Sequence, residues 1–481
     1  MEFNGFIKVL LGGGVLFFIL SLIFPIAALA VVTTLLFMGL AFLKPKIGLV
    51  ILTVYIPIRP LLITLNPALK IMGDAIIILI FIKVAYEKIR SHAFKTFCHL
   101  SVFEWAFLAF IAVGVIAALI TGVSLGSIVF EIRAFLLMFL VYYAVKHLET
   151  IHHKDKLVFL WVSFSIAMLI CIHGFIERLS LRRWLLPEVW KTQTLAAINQ
   201  FRIYGLPNNP NVLAMYLAMS FILALFLWHF YWRGWSRLIP FIGMVLIAGV
   251  FILTYSRGTM IAFGVTFIAY LLISKKVKVI IPIAAALLCS FIFFVLPIGL
   301  SGQSHHAKLM EQNEEADAHS RMAETFDKQT LQQSWNSGRL YVVKEGFRIF
   351  KDSPIIGTGF GTYGDSAATA YGSPLYKTYH LNPNLYADNQ YIQIIVQTGI
   401  AGVIFFAVYL LGLLTKLWKQ RKKTQMSVVV LSLLLGVYIA GLYYNIWENK
   451  IFTFYFFILL GYVGYLNQKE RQHEDTSSHR G

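Results

Sequence analysis

Long apolar stretches separated by short polar connectors run along the whole chain. Many of these stretches reach about 18 residues or more, enough for a helix to cross the roughly 30 Å hydrocarbon layer of a bilayer. Membrane barrel strands would instead alternate apolar and polar positions over segments of about ten residues. The pattern therefore predicts an all-α, polytopic integral membrane protein.

The apolar stretches predict about fourteen transmembrane helices. They fall near residues 6–23, 26–43, 47–58, 71–86, 103–121, 127–145, 157–176, 210–230, 238–254, 258–273, 279–298, 391–415, 426–446 and 451–466. The third and fourth stretches are the weakest, and Pro57, Pro60 and Pro67 interrupt them. Because proline removes a backbone donor and bends a helix, these two could instead form a re-entrant or kinked pair, leaving twelve spanning helices.

Composition agrees with a membrane protein and narrows its partners. Hydrophobic residues make up 58% of the 481 residues and charged residues 13%. The formal net charge of +18 invites a nucleic-acid interpretation, but the lysines and arginines lie mostly in short connectors, as in cytoplasmic loops of membrane proteins. We therefore expect no nucleic-acid partner. The three cysteines form neither a metal-binding pattern nor a disulfide framework.

The basic connectors also predict the orientation. Clusters of lysine and arginine occupy alternate connectors, and all of them fall on one side if the N-terminus is cytoplasmic. Residues 1–298 then hold about eleven helices, and 299–390 form a large extracytoplasmic loop. Residues 391–466 form the last helices, and 467–481 form a cytoplasmic tail without regular structure. The segment 177–209 also faces outside.

Two arginines near predicted outer helix ends stand out. Arg257 lies in GVFILTYSRGTMIAFGV, and an arginine in a membrane segment costs about 2.5–3.5 kcal/mol on insertion scales. It could snorkel to the headgroups, or it could bind an anion. Arg202 lies just before Pro210 and Asn211, which predict a helix start with free backbone N–H groups. An arginine beside such a start suits an anion site, although an ordinary Pro-Asn turn explains these residues equally well.

Acidic residues within or beside the apolar stretches are few. Glu131 and Arg133 are two positions apart and therefore leave a helix on different faces. Glu131 could form an ordinary interhelical ion pair or belong to a site. Glu448 also falls near a predicted outer helix end.

The predicted outer loop contains one amphipathic segment, NSGRLYVVKEGFRIFKDSP. Apolar side chains recur there at helical spacing at Leu340, Val343, Phe347 and Phe350, and charged residues fill the other face at Lys344, Glu345, Arg348, Lys351 and Asp352. This pattern predicts a helix that lies on the bilayer surface. The glycines that follow match G-x-G-x-x-G, but no strand precedes them, so we expect a turn and not a dinucleotide site.

Asp388 and Asn389 lie where the loop enters the next helix. Asp388 could cap that helix, or its carboxylate could act as a general base. His380, a few residues earlier, is a second acid–base candidate. In the helix itself, Gly399 and Gly402 would allow close packing.

Several short motifs occur in a fixed order around the predicted outer loop. They are Arg202-x-x-Gly205 with Pro210-Asn211, Ser256-Arg257-Gly258, Ser337-Gly338-Arg339, Pro354-Ile-Ile-Gly357-x-Gly359, and Asp388-Asn389 followed by Gln397-Thr-Gly399-x-x-Gly402. In this order they resemble the bacterial O-antigen ligase and surface-polysaccharide polymerase superfamily. The resemblance covers roughly residues 195–450.

The resemblance implies a metal-independent glycosyltransferase that uses no cofactor and acts at the outer face of the bacterial plasma membrane. Its donor would be an oligosaccharide on a polyprenyl diphosphate carrier in the membrane lipid, and other polysaccharide-assembly proteins are further possible partners. The ligase branch commonly has His-Asn where this chain has Asp388-Asn389. That difference favours a polymerase of lipid-linked repeats, similar to those that make O-antigen, capsule or teichuronic acid.

The resemblance also implies roles for particular residues. Arg257, Arg202 and Asp388 would be catalytic, and Asn211, Arg339 and Asn389 would bind the substrate. Arg348 and His380 lie outside these motifs and are predicted as further substrate-binding residues from their place in the loop. A ligase that uses another acceptor is one alternative. A transporter of lipid-linked sugars is another, but it should show an internal repeat, and we find none between the two halves.

Overall fold

The apolar stretches of the chain are largely helical in a computed structural model, described for residues 5–195, 199–231, 234–298 and 338–478. These ranges contain no strand, and eleven helices in them are long and apolar enough to cross a membrane. The prediction of an all-α, polytopic membrane protein is therefore confirmed. Ser337 and the first part of the predicted outer loop lie outside the described residues.

Each of the predicted apolar stretches lies at least in part within a helix. The α-helices are α1 (Gly5–Ile23), α2 (Ala27–Leu43), α3 (Pro45–Leu65), α4 (Met72–Arg90), α5 (Phe94–Cys98), α6 (Val102–Ile120), α7 (Leu125–Lys146), α8 (His153–Leu179), α9 (Glu188–Lys191), α10 (Pro210–Phe226), α11 (Leu238–Leu253), α12 (Arg257–Ser274), α13 (Ile280–Ser290), α14 (Arg339–Asp352), α15 (Ser366–Tyr371), α16 (Pro374–Thr378), α17 (Gln390–Gln420), α18 (Gln425–Ala440) and α19 (Lys450–Ser478). Adjoining 3-10 or π-helical turns extend α10, α11 and α13 to the spans Pro210–His229, Gly234–Leu253 and Val277–Ile298. Helices α2 and α18 are apolar but shorter than eighteen residues.

The third apolar stretch is a single helix despite its prolines. α3 continues past Pro57 and Pro60 for 21 residues and is apolar enough to span a membrane. The chain leaves the helix at Asn66, whose side chain caps a short 3-10 helix at Pro67–Ile71. Pro57 and Pro60 therefore do not break α3, and the chain changes direction after the helix, at Asn66.

The helices group into two compact units built from interleaved parts of the chain. Among the described residues, the first comprises those within 1–90, 143–259 and 276–316, and the second comprises those within 91–142, 260–275 and 317–481. In the first unit, α11 packs against α8, α10 and α13. In the second unit, α6 packs along α17, and α14 also packs against α17.

The regular backbone of α17 is interrupted where the backbone of the preceding loop forms hydrogen bonds with it. Gly399 has a non-helical backbone with φ of 58°. The N–H groups of the two following residues donate to the carbonyl oxygens of Pro354 and Ile355, each at 2.9 Å. A Cβ on Gly357 would lie 2.5 Å from the Gln397 carbonyl carbon. The close packing predicted at Gly399 is therefore confirmed, although its partner is loop backbone and not a second helix.

The glycine-rich segment after α14 forms a buried turn. Gly359 has a φ of 93°, and a Cβ there would lie 2.0 Å from the backbone nitrogen of Ala118. The next residue, Phe360, donates its N–H to the Gly114 carbonyl of α6 at 3.1 Å. The predicted turn is confirmed, and only glycine fits where its backbone touches α6.

Helix α14 confirms the amphipathic helix but buries a different face. Gly346 packs against α17, where an added Cβ would lie 2.5 Å from Ile392. Phe347, expected on the apolar face, is 47% exposed. Glu345, expected on the exposed polar face, is buried and pairs with Arg348 at 2.7 Å. That assignment of Glu345 was wrong, and contact of this helix with the bilayer surface stays a prediction.

Helix α19 extends well beyond its apolar part. It runs from Lys450 to Ser478 without interruption. The tail predicted to lack regular structure is therefore helical as far as residue 478. The helix continues because no proline or glycine follows Gly464 before that residue.

Candidate functional site

Arg202 has a fixed orientation in the first unit. Its Nε donates to the carbonyl oxygen of Thr254 at 2.7 Å, and its Nη2 donates to Oδ1 of Asn211 at 2.6 Å. A longer contact of 3.5 Å joins Nη1 to Oδ1 of Asn199. These three acceptors are neutral oxygens, so they orient the guanidinium without cancelling its positive charge.

The segment before α12 brings a second predicted region to the same place. Ser256 Oγ donates to Oδ1 of Asn211 at 3.1 Å and lies 3.0 Å from Thr259 Oγ1. Tyr255 has a φ of 51°, which turns the chain sharply between α11 and α12. Arg257 then begins α12 with an exposed side chain.

The helix start near Arg202 is confirmed, but its first N–H groups are occupied. α10 begins at Pro210, and the Asn209 side-chain oxygen accepts from the N–H groups of Asn211 and Val212 at 2.9 and 3.1 Å. The expectation of free backbone donors was wrong for these two residues, because an ordinary asparagine cap satisfies them. Asn211 contributes instead through its side chain, which links Arg202 to the start of α12.

A buried glutamate, not predicted from the sequence, anchors the loop before α10. Glu177 is 1% exposed, and its Oε2 accepts from the N–H groups of Gly205 at 2.6 Å and Tyr204 at 3.2 Å. Arg182 Nη1 donates to Oε1 at 2.5 Å, and its guanidinium lies 4.2 Å from the Tyr204 ring centroid. A lone glutamate in the last turn of an apolar helix was the available sequence signal.

In the second unit, the residue that caps α17 is Asn389 and not Asp388. Oδ1 of Asn389 accepts from the N–H groups of Tyr391 and Ile392, each at 3.1 Å. Asp388 is half-buried, has a φ of 45°, and interacts electrostatically with Tyr386. The cap interpretation of Asp388 was wrong by one residue, while its role as a base stays a prediction.

Two further carboxylates are buried in the second unit. Asp365 is fully buried and caps α15, accepting from the N–H groups of Ala368 at 2.5 Å and Gly361 at 2.6 Å. Glu448 is 7% exposed, and its Oε2 accepts from the N–H and the hydroxyl of Ser366 at 3.2 and 3.0 Å. Asp365 was not among the residues predicted from the sequence, and Glu448 was predicted only to lie near a helix end.

Glutamines on one face of α17 connect these carboxylates. Gln393 donates through Nε2 to Glu448, and Gln397 donates through Nε2 to Asp365. Gln390 donates to Oε1 of Gln393 at 3.0 Å, which extends the chain of hydrogen bonds. Three glutamines at spacings of three and four residues in an otherwise apolar helix were the sequence signal for this cluster.

Glu131 of α7 belongs to the same cluster. It is fully buried and interacts electrostatically with Glu448 and Asp365. Within the described residues, neither of its carboxyl oxygens has a hydrogen bond of good geometry. The Arg133 guanidinium lies 5.0 Å from the Phe130 ring centroid. The ion pair considered for Glu131 is therefore not seen in the described part of the chain.

The surroundings of Glu448 and Asp365 change how these carboxyls bind protons. Burial raises the pKa of Glu448 to about 7, and the charge of Asp365 raises it as well, against hydrogen bonds from Gln393 and Ser366. Burial also raises the pKa of Asp365, against hydrogen bonds from backbone N–H groups and from a glutamine. Glu448 can therefore gain or lose a proton near neutral pH.

The remaining predicted residues of the second unit lie against aromatic rings. The Arg339 guanidinium is 5.7 Å from the Tyr443 ring centroid, and its Nη2 donates to the Tyr443 carbonyl at 3.4 Å. Arg348 lies 5.2 Å from the Tyr379 ring centroid and donates to the Tyr379 carbonyl at 3.0 Å. His380 is exposed with a φ of 55°. Arg348 is thus placed beside the segment that carries His380.

The predicted residues fall into two groups, one in each unit. Hydrogen bonds join Arg202 to Asn211 in the first unit, and Arg257 follows Ser256 of the same network. Arg339, Arg348, His380, Asp388 and Asn389 belong to the second unit. In the described ranges, no group of three or more His, Cys, Asp or Glu side chains could hold a metal ion.

Comparison with known proteins confirms the resemblance over part of the chain. The family model for O-antigen ligase matches residues 242–407. The match includes Arg257 and Asp388 but begins after Arg202 and Asn211, so it is narrower than the range expected from the motifs. No curated protein matches the chain.

Proposed function

We propose that the protein polymerises oligosaccharide repeats carried on a polyprenyl diphosphate, at the outer face of the bacterial plasma membrane. The O-antigen ligase match and the eleven candidate spans among the described residues support a membrane-embedded, glycan-transferring enzyme of the ligase or polymerase type. The polymer would be a surface or cell-wall polysaccharide such as O-antigen, capsule or teichuronic acid.

The network of Arg202, Asn211 and Ser256 is the observation that carries this proposal. It holds one guanidinium by neutral oxygens at the turn where Arg257 begins α12 with its side chain exposed. Planar guanidinium groups bind phosphate oxygens in bidentate fashion. We assign both arginines to the diphosphate, whose negative charge increases as it leaves the sugar.

Asp388 is the proposed base for the acceptor. The acceptor hydroxyl attacks the anomeric carbon of the donor, the bond from that carbon to the diphosphate oxygen breaks, and the hydroxyl proton passes to the Asp388 carboxylate. Asn389 is occupied as the cap of α17, which fixes the backbone beside Asp388. This reaction uses neither a metal ion nor a nucleotide sugar.

The other second-unit residues would bind the glycan. Arg339 and Arg348 each lie over a tyrosine ring, and His380 lies beside the tyrosine that Arg348 contacts. Aromatic faces and guanidinium donors can bind sugar rings and their hydroxyl groups. Asn211 would serve the donor, because its side chain orients Arg202.

The proposed orientation of the protein in the membrane rests on the basic connectors. With both termini in the cytoplasm, Arg202, Arg257 and the connection from 299 to 390 face outside. The diphosphate of a lipid-linked donor lies at headgroup level, which suits residues at helix ends. Partners would then be the lipid-linked donor, membrane lipid and other polysaccharide-assembly proteins.

A ligase is the second candidate, because the matching family carries that description. The two activities differ in what accumulates in cells that lack the protein. Loss of a polymerase should leave single repeats on the lipid carrier and no long chains. Loss of a ligase should leave long chains on the carrier and none on the final acceptor. The proposal fails if lipid-linked and surface glycans are both unchanged.

A further inference from the structure

The end of α8 and the loop that follows carry more positive than negative charge. Between residues 177 and 209 the sequence contains two acidic residues, Glu177 and Glu188, against Arg178, Arg182, Arg183, Lys191 and Arg202. Both acidic residues are already paired, since Glu177 accepts from Arg182 at 2.5 Å and Glu188 from Lys191 at 2.6 Å. Arg178 and Arg183 therefore have no carboxylate of the segment left to neutralise them.

Arg178 is the arginine of this segment whose position is most telling. It lies in the last turns of α8, and its guanidinium is 5.3 Å from the Phe201 ring centroid. It also interacts electrostatically with Tyr255. Its side chain is half-buried, and within the described residues its Nε has no hydrogen-bond partner and the side chain forms no ion pair.

These two neighbours place Arg178 beside both predicted arginine segments. Phe201 directly precedes Arg202, and Tyr255 is two residues before Arg257 in the turn with positive φ. All these residues belong to the first unit. A half-buried guanidinium without a counter-charge loses hydration, and no ion pair offsets that cost. A bound anion would offset it.

We propose that Arg178 is a third arginine of the diphosphate-binding surface, next to Arg202 and Arg257. The inference rests on the proposed function, because it takes the lipid-linked diphosphate as the anion. Glu177, at the neighbouring position of α8, does not pair with Arg178. It takes up the charge of Arg182 and fixes the backbone of the loop, so that Arg178 keeps its full charge.

The alternative to phosphate binding is that Arg178 only stacks on Phe201. These two roles predict different effects of replacing Arg178. A stacking residue contributes to folding and leaves ligand affinity unchanged. A phosphate-binding residue contributes little to folding and makes binding of a diphosphate tighter and more dependent on salt.

The test is binding of farnesyl diphosphate, a water-soluble lipid diphosphate, to the purified full-length protein in detergent. Arg178→Gln should raise its Kd about 10-fold or more, as expected for loss of a charged hydrogen-bond donor to phosphate. The matched control is Arg183→Gln, which removes the same charge from an exposed position of the same loop, and should change the Kd by less than about 2-fold.

Two further variants separate the inference from the proposed function. If Arg202→Gln and Arg257→Gln leave the Kd unchanged, the first unit does not bind the diphosphate and the proposed function fails. If both weaken binding and Arg178→Gln matches the Arg183→Gln control, only the role of Arg178 is overturned. Should Arg178→Gln not fold, Arg178→Lys keeps the charge and should still weaken binding, because an ammonium cannot reproduce the planar guanidinium fork. A lysine variant with the wild-type Kd contradicts the inference.

Discussion

Replacing Glu448 with glutamine should make the protein's stability less dependent on pH. Glu448 lies among Asp365, Glu131 and the Ser366 hydroxyl, and its pKa is raised from 4.5 to about 7 by burial and by the charge of Asp365. A carboxyl whose pKa is higher in the folded state than in the unfolded state stabilises the fold at pH values below its unfolded-state pKa, which is near 4.5. That stabilisation is lost as the pH rises through about 7.

The size of the change in stability follows from the pKa shift of Glu448. Each pKa unit corresponds to about 1.4 kcal/mol, so Glu448 should lose about 3 kcal/mol of stabilisation between pH 4.5 and pH 8. Glutamine has the shape and charge of the protonated acid and does not titrate. The stability of Glu448→Gln relative to the wild type should therefore rise by up to about 3 kcal/mol over this range.

The assay is unfolding of the purified protein in detergent at several pH values from 4.5 to 8.5. Ser366→Ala serves as the matched comparison, because it removes a hydrogen bond that lowers the pKa of Glu448 and leaves the carboxyl in place. That variant should show a steeper loss of stability with rising pH than the wild type. A stability difference between Glu448→Gln and the wild type that is the same at pH 5 and pH 8 would show that Glu448 does not titrate with a raised pKa in the folded protein.

Three further predictions concern the loop and the orientation. Asp388→Asn keeps the shape of the side chain and removes the carboxylate, so polymer formation by folded protein should stop; near-normal activity would exclude Asp388 as the base. Gly359→Ala places a methyl group 2.0 Å from the Ala118 nitrogen at a positive φ, and should cost more than about 3 kcal/mol or abolish folding, as judged by yield and thermal unfolding. With the native cysteines removed, Ser320→Cys should react with an impermeant thiol reagent in intact cells and Lys422→Cys should not; the reverse pattern would overturn the orientation.

The helical architecture could be predicted because the bilayer constrains it so strongly. Apolar length marks a candidate spanning helix, and each predicted stretch lies at least in part in a helix, although only eleven helices of the described residues are long and apolar enough to span a membrane. The turn at Gly359 and the helix start at Pro210 were predictable for a similar local reason. Glycine and proline restrict the backbone directly, so their effect does not depend on distant residues.

The acidic cluster could not be predicted, because it depends on contacts between distant parts of the chain. Ser366 and Glu448 are 82 positions apart, and Gln397 and Asp365 are 32 apart. The cap of α17 was missed for a different reason. Asp388 and Asn389 are both good capping residues, and only the backbone geometry shows that the helix begins after Asn389.

The central claim is that Arg202 and Arg257 bind the diphosphate of a lipid-linked donor during polymerisation. Its most direct test supplies purified protein in lipid vesicles with polyprenyl-diphosphate-linked repeats and measures polymer length together with released polyprenyl diphosphate. The wild type should produce both, Arg257→Ala should produce neither while remaining folded, and Arg257→Lys should recover only part of the activity. Polymer of normal length from Arg257→Ala, or no consumption of lipid-linked repeats by the wild type, would contradict the account.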